Sequence, residues 1–115
     1  MVVFFMKSYA IDELRFHDYD KVRAYAGEHF GFSGVDGIYW IPLDEDILSD
    51  IQKDHEPCKP FYFAVEIEPE RVTCELLIRT NSTIRCSCMA YANERQRNWL
   101  IRLIDGVFDE LEIKT

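Results

Sequence analysis

The side chains with the clearest potential for chemistry belong to three of the four cysteines, Cys74, Cys86 and Cys88. Converging thiolates bind zinc, and two thiols form a disulfide when their Cα atoms lie about 4.4 to 6.8 Å apart. All three fall on the same face of a predicted sheet as its Phe, Val, Leu and Ile side chains. A thiol on an apolar face is more often a small buried hydrophobe. Three hypotheses therefore stay open: a metal site, a redox pair and inert packing.

A structural zinc site needs four ligands, and the sequence offers no good fourth one. Cys58 precedes Phe61 by three residues, which places it about 10 Å beyond the row that Phe61 forms with Ile78, at about 3.3 Å per residue. His55 is farther along the chain still. Reactive cysteines are usually exposed near positive charge, whereas these are expected beneath a helix. We predict no cofactor and keep a thiol or zinc protein centred on these cysteines as the alternative hypothesis.

The three histidines, His17, His29 and His55, fall at the ends of predicted elements. No Ser, Cys or Asp stands in a recognisable catalytic motif with any of them. We therefore predict no catalytic residue and favour binding over enzymatic activity. An enzyme with a pocket near Trp40 and the connector 31–37 is a third hypothesis, supported by composition alone.

Opposite charges are separated along the chain. The chain has 13 Lys and Arg against 21 Asp and Glu, a net charge of -8. Residues 44–56 hold six acids against one lysine, and residues 79–102 hold five arginines against one glutamate. The last predicted helix has Arg95 and Arg97 near its start, against the helix dipole. Either these arginines pair with the acids of residues 44–56, or they join Arg79 and Arg85 in an inter-subunit contact or an anion site.

The overall composition excludes several classes of function. A strongly acidic chain opposes sequence-independent binding to nucleic acid and to anionic membranes. The apolar run at residues 1–6 is too short for a signal peptide, and no apolar stretch has the length of a membrane span. The irregular cysteine spacing is not that of a secreted disulfide framework. We therefore expect a cytoplasmic protein, with neither nucleic acid nor membrane as a partner.

The elements that position these residues form a single α+β domain over residues 1–115, in the order β-α-β-α-β-β-β-α. We predict a mainly antiparallel sheet of four or five strands with the C-terminal helix packed on its inner face. The first half contains a strand at 11–17, a helix at 18–30 capped by Asp18, a strand at 38–41 closed by Pro42, and a surface helix at 44–55.

The second half alternates apolar and polar residues with a period of two. Strands from Phe61 to Ile67 and from Val72 to Ile78 form a hairpin in which Ile67 pairs with Val72 around Pro69. A third strand at 84–90 continues a meander and places Cys88 opposite Cys74. Asn93 and Gln96 then open the last helix.

The outer face of this sheet is too apolar for a freely solvated surface. It carries Tyr62, Leu77, Met89 and Tyr91 among charged residues, and we expect it to be covered by the helix at 44–55 or by a second copy of the chain. The leading hypothesis is a cytoplasmic, non-enzymatic binding or protein-interaction module that self-associates, as a dimer, through this face and the charge patches. The candidate binding residues are Arg79, Arg85, Arg95, Arg97, Tyr62 and Met89.

Overall fold

Six strands and three α-helices alternate along the part of the chain that the computed structural model describes, residues 8–54, 59–80 and 91–113. The strands are β1 (Ser8–Ile11), β2 (Gly31–Phe32), β3 (Ile38–Pro42), β4 (Phe61–Glu68), β5 (Arg71–Glu75) and β6 (Arg79–Thr80). The helices are α1 (Phe16–His29), α2 (Asp50–Asp54) and α3 (Glu94–Glu110), with a 3-10 helix at Glu45–Ile47. All strands pair antiparallel in the order β1-β5-β4-β3-β2, and β6 also pairs with β4. The predicted α+β class is confirmed.

The central hairpin has the predicted register. Ile67 pairs with Val72, and Val65 pairs with Cys74. The loop has only two residues, Pro69 and Glu70, because Glu68 and Arg71 also pair. The odd-numbered positions of β4 and the even-numbered positions of β5 are buried, as the alternation requires.

The second strand of the hairpin is interrupted after Glu75. Phe61 pairs with Thr80 of β6 rather than with Ile78, so two additional residues are accommodated between β5 and β6. An even number of extra residues leaves the two faces unchanged. Leu76 and Ile78 therefore remain buried, while Leu77 forms an isolated bridge to Tyr91.

The predicted strand at 11–17 is wrong. The strand at this end is β1, which ends at Ile11, and Phe16 already begins α1. Glu13 between them has a φ of 61°, in the left-handed region, and this conformation breaks the extended chain. The amide of Leu14 then donates to the carbonyl of Glu70, 3.0 Å away. The turn directs the chain across the end of the hairpin and into the helix.

α1 covers most of the predicted helix at 18–30 and begins two residues earlier. Asp18 lies in the first turn rather than at the N-cap, which is Arg15. Its carboxylate is buried and lies 3.1 Å from the Nε of Arg15. Val22 and Ala26 are buried one and two turns later and form the inward face of the helix.

β3 confirms the strand predicted before Pro42. The connector that precedes it begins with a two-residue strand, since Gly31 pairs with Trp40 and Phe32 with Tyr39. The predicted surface helix at 44–55 is divided into the 3-10 helix and α2, so the prediction of one continuous helix is wrong. Gln52 of α2 hydrogen-bonds to Gln96, which places this segment against the start of α3.

α3 begins with the predicted capping box. The amide of Gln96 donates to the side chain of Asn93 at 2.9 Å, and the amide of Asn93 donates to the side chain of Gln96 at 3.1 Å. Leu100, Ile104 and Phe108 then join the core cluster with the inner face of the sheet. Trp99 stacks on Phe63 of β4, with 6.2 Å between ring centroids. The C-terminal helix therefore packs on the inner face, as predicted.

Candidate binding groove on the outer sheet face

The outer face of the sheet collects the side chains that alternate with the core positions. In β3 and β4, Trp40 pairs with Ala64 and Ile38 pairs with Glu66. Glu66 is also the neighbour of Thr73 in β5. Residues directly opposite each other on antiparallel strands share one face of the sheet. The apolar row of Trp40 and Ala64 therefore lies beside the more polar row of Ile38, Glu66 and Thr73.

These rows enclose a groove with a volume of about 360 Å³. Ala64 is one of its lining residues and pairs with Trp40, and its short side chain leaves space beside that larger ring. Binding sites for small molecules and for inserted side chains usually have volumes of about 300 to 1,000 Å³. The groove is lined by Ser8, Ile38, Trp40, Ala64, Glu66, Thr73, Glu75 and Arg79. We refer to these eight residues as the outer groove.

Trp40 lines the outer groove and forms an aromatic pair with Tyr62 beside it. The rings of Trp40 and Tyr62 lie 5.7 Å apart between centroids, with an angle of 34° between their planes. Both side chains are only partly buried. Large, rigid and half-exposed aromatic side chains are characteristic of binding surfaces, where they bury much area at a low entropic cost. Tyr62, one of the predicted binding residues, is thus beside the groove.

An ion pair lies at one end of the groove. The guanidinium of Arg79 donates from Nε to one carboxylate oxygen of Glu75 at 2.6 Å and from Nη2 to the other at 3.2 Å. The side chain of Glu75 is 12% exposed and that of Arg79 is 40% exposed. The hydrogen bond to Glu75 raises the pKa of Arg79 above its ordinary value, against the opposing effect of burial. Arg79, a predicted binding residue, is therefore neutralised within its own chain.

Glu66 is the second carboxylate of the groove. It is exposed and forms no salt bridge within the part of the chain that the structure describes. With Glu75 and Arg79 cancelling, Glu66 gives the outer groove a net charge of -1. The groove therefore combines an apolar aromatic wall with one available carboxylate, which suits a cationic group carried on an apolar stem.

Arg95 and Arg97 lie at the start of α3 and are exposed. The pairing of these arginines with the acids of residues 44–56 is not found: across the described residues, no salt bridge connects Arg95, Arg97 or Arg102 to another side chain. Glu45 of that acidic segment pairs instead with Lys59, at 2.6 Å. The positive charges of α3 are thus available to a partner.

Gln96 fixes the position of these two arginines. Its side chain is 2% exposed and donates to the carbonyl of Ile47 at 3.1 Å and to Oε1 of Gln52 at 2.9 Å. Because Gln96 points inward, its neighbours in the helix point outward. Sequence reasoning identified the capping box and missed this second role of Gln96, since nothing local indicated the contact with Gln52.

Cys74 is fully buried in the core cluster, as its place in the alternation predicts. The predicted cross-strand pair of Cys74 and Cys88 is wrong, because the neighbours of Cys74 are Val65 on β4 and Tyr9 on β1. β1 occupies the edge of β5 that the prediction gave to a third meander strand. Cys86 and Cys88 lie outside the described residues, as does that predicted strand.

The environment of Cys74 disfavours thiol chemistry at this position. Burial raises the pKa of its thiol from 9.0 to about 12, and the negative charge of Asp105 adds to the effect. A thiolate, the form that attacks disulfides and binds metals, is therefore strongly disfavoured there. Among the residues described, no group of three or more His, Cys, Asp or Glu side chains is arranged to hold a metal ion.

Two predicted binding residues, Arg85 and Met89, also lie outside the described residues. Conversely, sequence reasoning did not assign Ile38 and Trp40 to the outer face. The run from Ile38 to Ile41 is apolar at every position, so alternation could not separate the two faces of this strand. The pairing of Trp40 with Ala64 supplies this information only once the strand is placed beside β4.

No helix within the described ranges combines the length and apolar character required to cross a bilayer. Comparisons of the chain with protein-family models, with curated proteins and with solved structures gave no match.

Proposed function

We propose that this chain is a small, non-enzymatic interaction module of the cytoplasm that binds through its outer sheet face and associates with a second copy of itself. The observation that carries the proposal is the outer groove, an open concavity lined by Trp40 and Ala64 among others. A half-apolar, half-charged surface of this kind is typical of interfaces that form between separately folded proteins.

The inner face of the sheet supports the assignment of binding to the outer face. Packing against α3 already buries the inner face, so the core is complete without the outer one. The helix predicted at 44–55 was one of the two covers considered for the outer face, but its described residues 44–54 pack against α3 and supply no residue to the groove. A partner that covers Trp40 and Tyr62 removes apolar area from water at about 25 cal/mol per Å².

Charge and cysteine usage support the remaining parts of the proposal. A net charge of -8 opposes nucleic acid and anionic membranes as partners. Cys74 is a free thiol enclosed in the core, which suits a reducing compartment such as the cytoplasm.

Self-association is tested by sedimentation velocity over a range of protein and salt concentrations. We expect the wild-type chain to form dimers. The variant Trp40→Ala should dissociate at least 10-fold more readily, since a central aromatic side chain commonly contributes about 2 kcal/mol or more to an interface. The control is Phe32→Ala, because Phe32 is also an aromatic side chain, is 62% exposed, and is not among the groove residues.

The control should change the dissociation constant by less than about twofold, since exposed side chains outside an interface contribute little. Circular dichroism of both variants establishes that the fold is retained. A wild-type chain that stays monomeric at the highest concentration, or equal effects of the two substitutions, would contradict the proposal.

A further inference from the structure

Two surfaces in the described part of the chain carry unpaired charges of opposite sign. The outer groove presents the carboxylate of Glu66, and the start of α3 presents the guanidinium groups of Arg95 and Arg97. We infer that the groove of one copy receives the first turn of α3 from a second copy, with these arginines against Glu66 and the aromatic wall. This inference rests on the proposed self-association and specifies its contact.

Charge complementarity is the first argument. Within the described residues, Glu66 and the two arginines have no ion-pair partner. Two identical grooves facing each other would bring two unpaired Glu66 carboxylates together in a chain of net charge -8. A groove that faces the arginines of the other copy instead pairs opposite charges.

Shape is the second argument. The outer groove is concave, and two concave surfaces in contact enclose an empty space rather than a packed interface. The exposed end of a helix is convex and carries its arginines on flexible apolar stems. A guanidinium fits the face of a Trp ring, and Trp40 lines the same groove as Glu66.

The rigidity of the helix end is the third argument. The capping box of Asn93 and the inward hydrogen bonds of Gln96 hold the first turn of α3 in place before any partner arrives. Little backbone freedom is therefore lost on association, which favours binding. The contact joins two different surfaces, so it closes into a dimer if both copies exchange it and extends into a chain if they do not.

A charge-swap experiment tests this contact. One variant carries Glu66→Arg, and the other carries Arg95→Glu together with Arg97→Glu. Each variant alone opposes like charges across the contact, and we expect its association to weaken at least 10-fold in sedimentation velocity. Mixed in equal amounts, the two variants restore opposite charges at every contact, so mixed complexes should form with nearly wild-type affinity and weaken as salt is added.

The milder variants Glu66→Gln and Arg97→Gln, with intact circular dichroism, keep the test valid if a charge reversal prevents folding. Each should weaken association several-fold. Absence of rescue in the mixture, while the wild type dimerises and Trp40→Ala weakens the dimer, would overturn the inference and leave the proposed function standing. A monomeric wild type would remove both.

One more mixture tests whether the arginines pair with a different carboxylate of the second copy. Asp46 lies in the acidic segment next to the start of α3 and has no ion pair in the described part of the chain. The variant Asp46→Arg is mixed with the same double arginine variant. Rescue by Asp46→Arg and not by Glu66→Arg would overturn the assignment to the groove.

Discussion

Replacing Gln96 by Ala should destabilise the chain by about 2 to 3 kcal/mol, because this one side chain joins α3 to the segment before β4. It makes three hydrogen bonds: it accepts from the amide of Asn93 and donates to Ile47 and Gln52. A hydrogen bond contributes about 0.5 to 1.5 kcal/mol net, and a buried group left without its partner costs about 1 to 3 kcal/mol. The higher helix propensity of Ala offsets a few tenths of a kcal/mol.

The effect is measured by urea unfolding followed by circular dichroism. With a denaturant dependence of about 2 kcal/mol per M for a chain of this size, the midpoint should fall by roughly 1 to 1.5 M. The control is Arg102→Ala, an exposed arginine of the same helix that lies outside the proposed contact between copies, whose effect should stay within about 0.5 kcal/mol.

A third variant, Gln96→Glu, separates the two roles of the side chain. A glutamate at this position keeps the capping-box acceptor but directs carboxylate oxygens at the two acceptors, Ile47 O and Gln52 Oε1. At pH 8 it should therefore destabilise at least as much as Ala. A loss below about 0.5 kcal/mol for Gln96→Ala, or full stability of Gln96→Glu, would refute the reasoning, since surface substitutions have effects of that size.

Two further predictions concern the backbone and the core. Gly106→Ala should stabilise α3 by about 0.5 to 1 kcal/mol, because an added Cβ meets no atom within 4 Å. Gly37→Ala should destabilise the chain by about 1 kcal/mol or more, because φ is +84° and the Cβ would lie 3.3 Å from the Ile67 carbonyl oxygen. The two variants should shift the thermal midpoint in opposite directions, and shifts of the same sign would contradict the prediction. Because the pKa of Cys74 is raised to about 12, the contribution of the thiol to stability is complete below pH 9 and is progressively lost as the pH rises towards 12. Between pH 9.5 and 10.5, the free energy of unfolding of the wild type should therefore fall faster than that of Cys74→Ala, by about 1 kcal/mol per pH unit. Parallel pH dependences would show that the thiol is accessible in the native state.

Short-range patterns predicted the central hairpin and α3 well. The alternation from Phe61 to Cys74 determines both faces and the pairing of Ile67 with Val72, because a slip of one residue would expose the core side chains. The capping box at Asn93 and Gln96 likewise depends only on residues three apart. Such features are local, so the sequence contains what is needed to find them.

The prediction of the first strand was wrong because local patterns do not determine where that strand lies. Residues 13–16 alternate polar and apolar side chains, which imitates a strand, but Glu13 adopts a left-handed conformation that alternation cannot reveal. Phe16, which falls within the strand predicted at 11–17, is instead 74% exposed at the start of α1. The position of β1 beside β5 depends on contacts between residues more than 60 apart in sequence, and no local signal indicates such a pairing.

The candidate site was predicted in part. Tyr62 on the outer face followed from the alternation of β4, whereas for Arg95 and Arg97 the sequence left both pairing with the acids of residues 44–56 and contact with a partner open. The groove itself did not, because it requires β3 beside β4, with small Ala64 next to large Trp40. The neutralisation of Arg79 by Glu75 depends on the interruption between β5 and β6, which was also not predicted.

The exposure of Trp40 to solvent tests the central claim most directly. In a Trp99→Phe background, Trp40 is the sole tryptophan, and quenching of its fluorescence by acrylamide reports its accessibility. If the outer groove is the surface that a second copy covers, the quenching constant should fall as the protein concentration rises through the dissociation constant. A quenching constant that is the same for monomer and dimer would show that the copies associate elsewhere and contradict the account.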